Sequence, residues 1–217
     1  MPTAPRLATQ SIAGGRPYQE DAVLARTLPD GRVLVAVADG MGGHAAGEVA
    51  SALAIEAVDG AVQEGVPLER AVRLANQRVY GGGLEPGRRG MGTTLVALLL
   101  GADGHYQIAN VGDSRAYLLS GGTIRRLTED HSYVAEAIRY GYPPGAAFAP
   151  RWRNALTRAL GIERSVEVDL FGPFPAEPAT VLLLCSDGLY KSLDDDALAR
   201  IHGQAADPQS AADTLVR

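Results

Sequence analysis

Apolar positions along the chain fall into two rhythms that alternate in blocks. Residues 33–38, VLVAVA, form an unbroken apolar run, long enough for a buried strand and too short for an isolated helix. Asp39-Gly40 and the loop Met41-Gly42-Gly43-His44 follow. Apolar residues then recur at Ala46, Val49, Ala50, Leu53, Ala54, Ala57 and Val58, the spacing of one buried helix face. A helix is therefore expected over about 46–63. A second should begin at Pro67, a favourable first-turn residue, with Leu68, Ala71, Val72, Ala75 and Val79 on one stripe.

From Gly92 the period becomes strand-like. Strands are expected over 93–100, 105–111, 115–119 and 123–127, joined by turn residues at 101–104 and 120–122. Upstream, 8–13 and 22–27 read as short strands around a loop, and Pro29-Asp30-Gly31 as a turn into the apolar run. Downstream, a helix over 132–140 takes Asp130 or Ser132 as its cap. Residues 140–154 are rich in Gly, Pro and Ala without periodicity and read as a flap. Residues 166–171 and 180–185 are expected strands, and 194–201 a helix with three acids in its first turn. Residues 208–217 start as a helix and stop without a C-cap, which reads as a chain interrupted within an element.

The 217 residues suffice for one domain, 1–217, and 46% hydrophobic with 21% charged residues is a folded, soluble composition. A net charge of −5 argues against a nonspecific nucleic-acid binder. Cys185 is the single cysteine, so no internal disulfide forms. With no signal-peptide core and no bilayer-length apolar run, a cytoplasmic monomer is the expectation.

The chemistry lies in acids placed after strands. The run before Asp39-Gly40 and the run before Ser186-Asp187-Gly188 share one grammar. A lone Asp-Gly is a turn, but two carboxylates at neighbouring strand ends are unfavourable together unless a cation lies between them. Glu20, Asp21 and Asp113 add further acids, and Arg16 adds a planar fork suited to phosphate. Acids with backbone carbonyls brought close by glycine suit Mg²⁺ or Mn²⁺. Together these are the parts of a metal-assisted phosphoester hydrolase.

Through GGRPYQED, VAVADGMGGH with a following Gly-Glu, GMGTT, NVGDSRAYLL, LTEDHS, NALTRALG and LLLCSDGLY, in that order, the sequence resembles the metal-dependent (type 2C) serine/threonine protein phosphatases in their short bacterial form. The resemblance implies an α/β fold, a four-layer α-β-β-α sandwich of two antiparallel sheets flanked by helices. It implies that Asp39 bridges two Mn²⁺ or Mg²⁺ ions, that the Gly40 carbonyl binds one, and that Asp187 binds the other. Glu20 and Asp21 would hold metal-bound waters, Asp113 and Asp187 a weaker third ion, and Arg16 the substrate phosphate. His44 would protonate the leaving oxygen, unless it is only a helix-entry residue. Asp113 alternatively pairs with Arg115 or caps its turn. Glu20 alternatively faces solvent while Asp21 points inward. His105, His131, Cys185, Thr93 and Thr94 are expected to be structural or solvated. Partners would be phosphorylated proteins, targets of bacterial Ser/Thr kinases. The family's final strand pair, with an Asp-Asn motif, has no counterpart after Asp187, and the flap differs from the usual acidic one. The alternative reading is therefore a pseudophosphatase, a regulatory module that binds phosphoproteins without turnover.

Overall fold

The computed structural model describes residues 5–43, 45–143, 145 and 148–217. One sheet has the order β1 (Asp21–Thr27), β2 (Val33–Met41), β4 (Leu95–Leu100), β5 (His105–Val111), β8 (Asp169–Pro175), with the short β3 (Gly92–Thr93) paired to the end of β2. The second has the order β7 (Thr123–Arg126), β6 (Arg115–Ser120), β9 (Val181–Cys185). All these pairings are antiparallel. Helices α1 (Ala45–Gln63) and α2 (Leu68–Gly82) cover the outer face of the first sheet. Helices α6 (Asp195–Gln204) and α7 (Pro208–Leu215) lie over the second. The expected α-β-β-α sandwich is what forms.

The layering explains why the strands read as unbroken apolar runs. In β2, Leu34, Ala36 and Ala38 pack under α1 and α2, whereas Val37 faces the second sheet. In β4, Leu95 and Ala97 face the helices while Val96 and Leu98 face the gap between sheets. In β9, Leu182 and Leu184 face that gap and Leu183 and Cys185 face α6 and α7. A strand covered on both faces needs apolar residues at every position. The small residues of α1, Ala46, Gly47, Ala50 and Ala54, are buried and let its backbone come close to β2.

Several local expectations change. Residues 8–13 are irregular, because a strand needs a hydrogen-bonded neighbour and none of the described strands pairs with them. They are held instead through side chains, Gln10 donating to Asp213 and Gln19 to Ser11. The strand expected over 166–171 lies further on, at Asp169–Pro175, and Val166 and Val168 pack into the helix-side core. Two short helices have too few residues to show a period: α4 (Pro150–Arg153) within the flap, and α5 (Asp187–Tyr190) directly after β9. Helix α3 (Tyr133–Arg139) is capped by Ser132, whose side chain accepts from the Ala135 N–H. Among the described residues no helix is long and apolar enough to cross a membrane.

Candidate functional site

Alternation along β2 decides where Asp39 points. Since Val37 faces the gap between the sheets, Asp39 lies on that same side, and the register places Asp21 of β1 directly opposite it. Contrary to a turn reading of Asp39-Gly40, β2 continues through both residues, because Gly40 and Met41 pair with Thr93 and Gly92. Asp187 follows β9 as the first residue of α5, and Asp113 follows β5 in the turn to β6. Four carboxylates from four separate strands thus meet at one end of the gap.

Burial and neighbouring charge raise three of these carboxyls. Burial, then Asp21, Asp187 and Asp113, push the Asp39 carboxyl up to about 8. Burial also raises Asp21, although hydrogen bonds with Ser186 and Asp39 pull the other way. Asp113 is raised by burial and by Asp187. Asp39 is within hydrogen-bond reach of both Asp21 and Asp187, so the three carboxyls lean on one another. Among the described residues no trio of acids closes on a single point at ligand distance. The cluster opens into a cleft of about 630 Å³ lined also by Arg16, Glu20 and Ser186 and running along the outer edge of β9.

Gly40 faces the opposite way, toward α1. A Cβ there would collide with the Gly47 carbonyl and lie 2.7 Å from the Glu20 carbonyl oxygen. The Gly40 N–H donates to the Glu20 carbonyl at 3.1 Å, and Ser51 Oγ donates to the same oxygen at 2.6 Å. This packing turns the Glu20 side chain inward: its Oε1 is buried without a hydrogen-bond partner. The alternative of a solvent-facing Glu20 is thereby set aside. Close contact of Gly40 with Gly47 fixes the Glu20 backbone and leaves its carboxylate against α1. Arg16 is exposed at the mouth, with Nη1 3.8 Å from Glu20 Oε2.

The neighbours of Asp113 settle its alternative pairing. Arg115 does not hold it; Arg115 makes a two-pronged pair with Asp130 at 2.9 and 2.7 Å. Tyr190 Oη, kept protonated because burial raises its pKa, donates to Asp113 at 3.0 Å (carbonyl) and 3.3 Å (Oδ2), while the Arg115 guanidinium stacks on the Tyr190 ring. Truncation of Arg115 to Met would leave Asp130 nearly buried with only the longer Arg126 contact. The expected cost is about 2–4 kcal/mol, read as a lower melting temperature, with a wild-type value contradicting the assignment.

Sequence reasoning missed the supports. Thr94 Oγ1 accepts from the Asp39 N–H at 3.0 Å and hydrogen-bonds Ser114 Oγ at 2.7 Å, while Thr93 Oγ1 donates to the Asp39 carbonyl at 2.9 Å. These threonines therefore fix the backbone of Asp39 besides serving the sheet. His131 Nδ1 accepts from the Gly112 N–H at 3.0 Å, and burial keeps the ring neutral, so Nε2 carries the proton and faces Asp169 at 3.1 Å. It is structural, as expected, and it braces the loop that carries Asp113. His105 is exposed and Cys185 is buried with its thiol pushed up to about 12, an inert core residue. His44 lies outside the described residues.

A family model described as Protein phosphatase 2C matches residues 9–215. The serine/threonine phosphatase stp of Listeria welshimeri is 46% identical over 173 residues, which are 74% of this chain and 68% of that protein. The crystal structure of the Mycobacterium tuberculosis serine/threonine phosphatase PstP/Ppp superposes with a TM-score of 0.80 at 34% identity, covering 93% of this chain and 85% of that one. A structure of the catalytic domain of PstP in complex with two manganese ions superposes with a TM-score of 0.75 at 33% identity, covering 93% and 84%. With an acid cluster at one end of a matching sandwich and a family model spanning nearly all of its length, the chain belongs to the protein phosphatase 2C family.

Proposed function

We propose that the chain hydrolyses phosphoserine and phosphothreonine in proteins, with divalent cations held by the acid cluster. One observation carries this: Asp21, Asp39, Asp113 and Asp187 share one end of the gap between sheets, with Arg16 at its mouth. The donor set fits a hard cation. It consists of carboxylate oxygens whose repulsion a cation relieves, together with the buried, partnerless Oε1 of Glu20. Asp39, Asp187 and the Gly40 carbonyl would hold two Mn²⁺ or Mg²⁺ ions, and Asp113 with Asp187 a weaker third. When bound, such ions supply Lewis acidity that makes water nucleophilic at neutral pH and offsets charge on the phosphoryl oxygens.

The remaining steps belong to the protein. Glu20 and Asp21 orient water at the cluster. Arg16, exposed at the mouth beside Glu20, binds phosphate oxygens with its planar fork. His44 is the proposed proton donor to the leaving serine or threonine oxygen. Thr93 and Thr94 keep Asp39 from turning as charge builds up. The substrates are then proteins phosphorylated by Ser/Thr kinases, met in the cytoplasm by a single catalytic unit.

Phosphate release from a phosphothreonine peptide tests this. Release should depend on Mn²⁺, stop with a chelator and return when the metal is restored. Peptide binding without release would instead favour a phosphoprotein-binding module. Substitution of Arg16 by alanine should raise KM for the peptide about tenfold with a smaller fall in kcat; an unchanged KM would remove Arg16 from phosphate binding.

A further inference from the structure

Among the described residues, Lys191 connects the acids to the flap. It follows α5, one helical turn after Asp187, with its backbone N–H bonded to the Asp187 carbonyl at 3.0 Å. Its ammonium donates to Asp187 Oδ2 at 2.5 Å and to Asn154 Oδ1 at 2.9 Å. Asn154 is the C-cap residue of α4, the flap helix, and its own N–H bonds back to the Trp152 carbonyl. Trp152, the single tryptophan of the chain, stacks on Tyr133 of α3 with ring centroids 4.7 Å apart. A continuous path of Asp187, Lys191, Asn154 and α4 therefore joins the acid cluster to the flap.

Resting on the metal-binding reading above, we infer that Lys191 is a positioning residue that couples cation occupancy of the acid cluster to the position of the flap. Its single charge neutralises part of Asp187. A divalent cation at the same carboxylate competes for that oxygen and repels the ammonium, so the two cannot hold Asp187 equally. As the ammonium is displaced from Asp187, its hold on Asn154 changes and α4 moves with it. By linkage, whatever draws Lys191 away from Asp187 also strengthens cation binding by the same factor. The position of α4 thus differs between the metal-free and metal-loaded protein.

The test uses Mn²⁺ alone with the full chain and needs no turnover. Calorimetric titration gives affinity, and Trp152 emission reports the flap. The wild type should bind Mn²⁺ with a change in Trp152 emission. Lys191→Met should bind it about three- to tenfold tighter and lose most of that change. Asn154→Ala should keep the affinity within about twofold and lose the change as well, since it severs the path beyond the cluster. Lys191→Arg should restore the emission response. Unaltered or weaker Mn²⁺ binding by Lys191→Met, or an undiminished response in either severing variant, overturns the coupling. A wild type that binds no Mn²⁺ overturns the metal-binding reading itself, and the coupling with it.

Discussion

Replacing Asp39 by asparagine is expected to abolish Mn²⁺-dependent phosphate release, by about 10³-fold or more, while making the metal-free protein more stable. Both effects come from one cause. Asp39 stands among three other carboxylates, and burial with their charges holds its pKa near 8 instead of the ordinary 3.8. A folded-state carboxyl raised in this way keeps its proton in the native state after the unfolded chain has lost it. The metal-free protein should therefore lose stability as pH rises from about 4 towards 8. The substituted amide carries no charge and donates hydrogen bonds to Asp21 and Asp187, so the variant should show a flatter loss. A gain of about 2 kcal/mol at the upper end of that window corresponds to a rise of about 4–8 °C in melting temperature for a chain of this size. Added Mn²⁺ should raise the melting temperature of the wild type and not of the variant. Thermal scans across pH, with and without Mn²⁺, check this. A destabilised variant with an unchanged pH slope would show that the acids are not acting on one another.

The second large effect is steric. Gly40→Ala would drive a Cβ into the Gly47 carbonyl group and to 2.7 Å from the Glu20 carbonyl oxygen. All these are backbone atoms of β2, α1 and the segment before β1, which no rotamer change can move. The strand and the helix must part, and the hydrogen bonds from Gly40 and Ser51 to Glu20 are lost with them. A cost of about 4 kcal/mol or more is expected, enough to lower the melting temperature by about 8–16 °C. Gly60→Ala is the control, since a Cβ there meets nothing within 4 Å. Equal stability of the two variants would contradict the packing described here.

Much of this fold was legible because its core is layered. Apolar runs such as 33–38 and 180–185 mark strands covered on both faces, and the helical stripes of α1 and α2 lie under the first sheet as their spacing implies. The convergence of Asp39 and Asp187 was legible because both follow long apolar runs of the kind that form neighbouring buried strands. What the sequence left hidden depends on contacts between distant residues. Whether Asp39 ends a strand or continues one is decided by Gly92 and Thr93, which pair beyond it. Whether Glu20 faces in or out is decided by Gly47, on a different element. Lys191 and Asn154 stand 37 positions apart, and nothing local to either reveals the other. Residues 8–13 have a strand-like composition but no partner among the described strands, and composition cannot supply one.

Crystals grown with Mn²⁺ and measured at the manganese absorption edge give the most direct examination of the metal-binding cluster. Two anomalous peaks are expected at the end of the gap between sheets, beside Asp39 and Asp187. Peaks placed elsewhere, or none at saturating metal, would contradict the account.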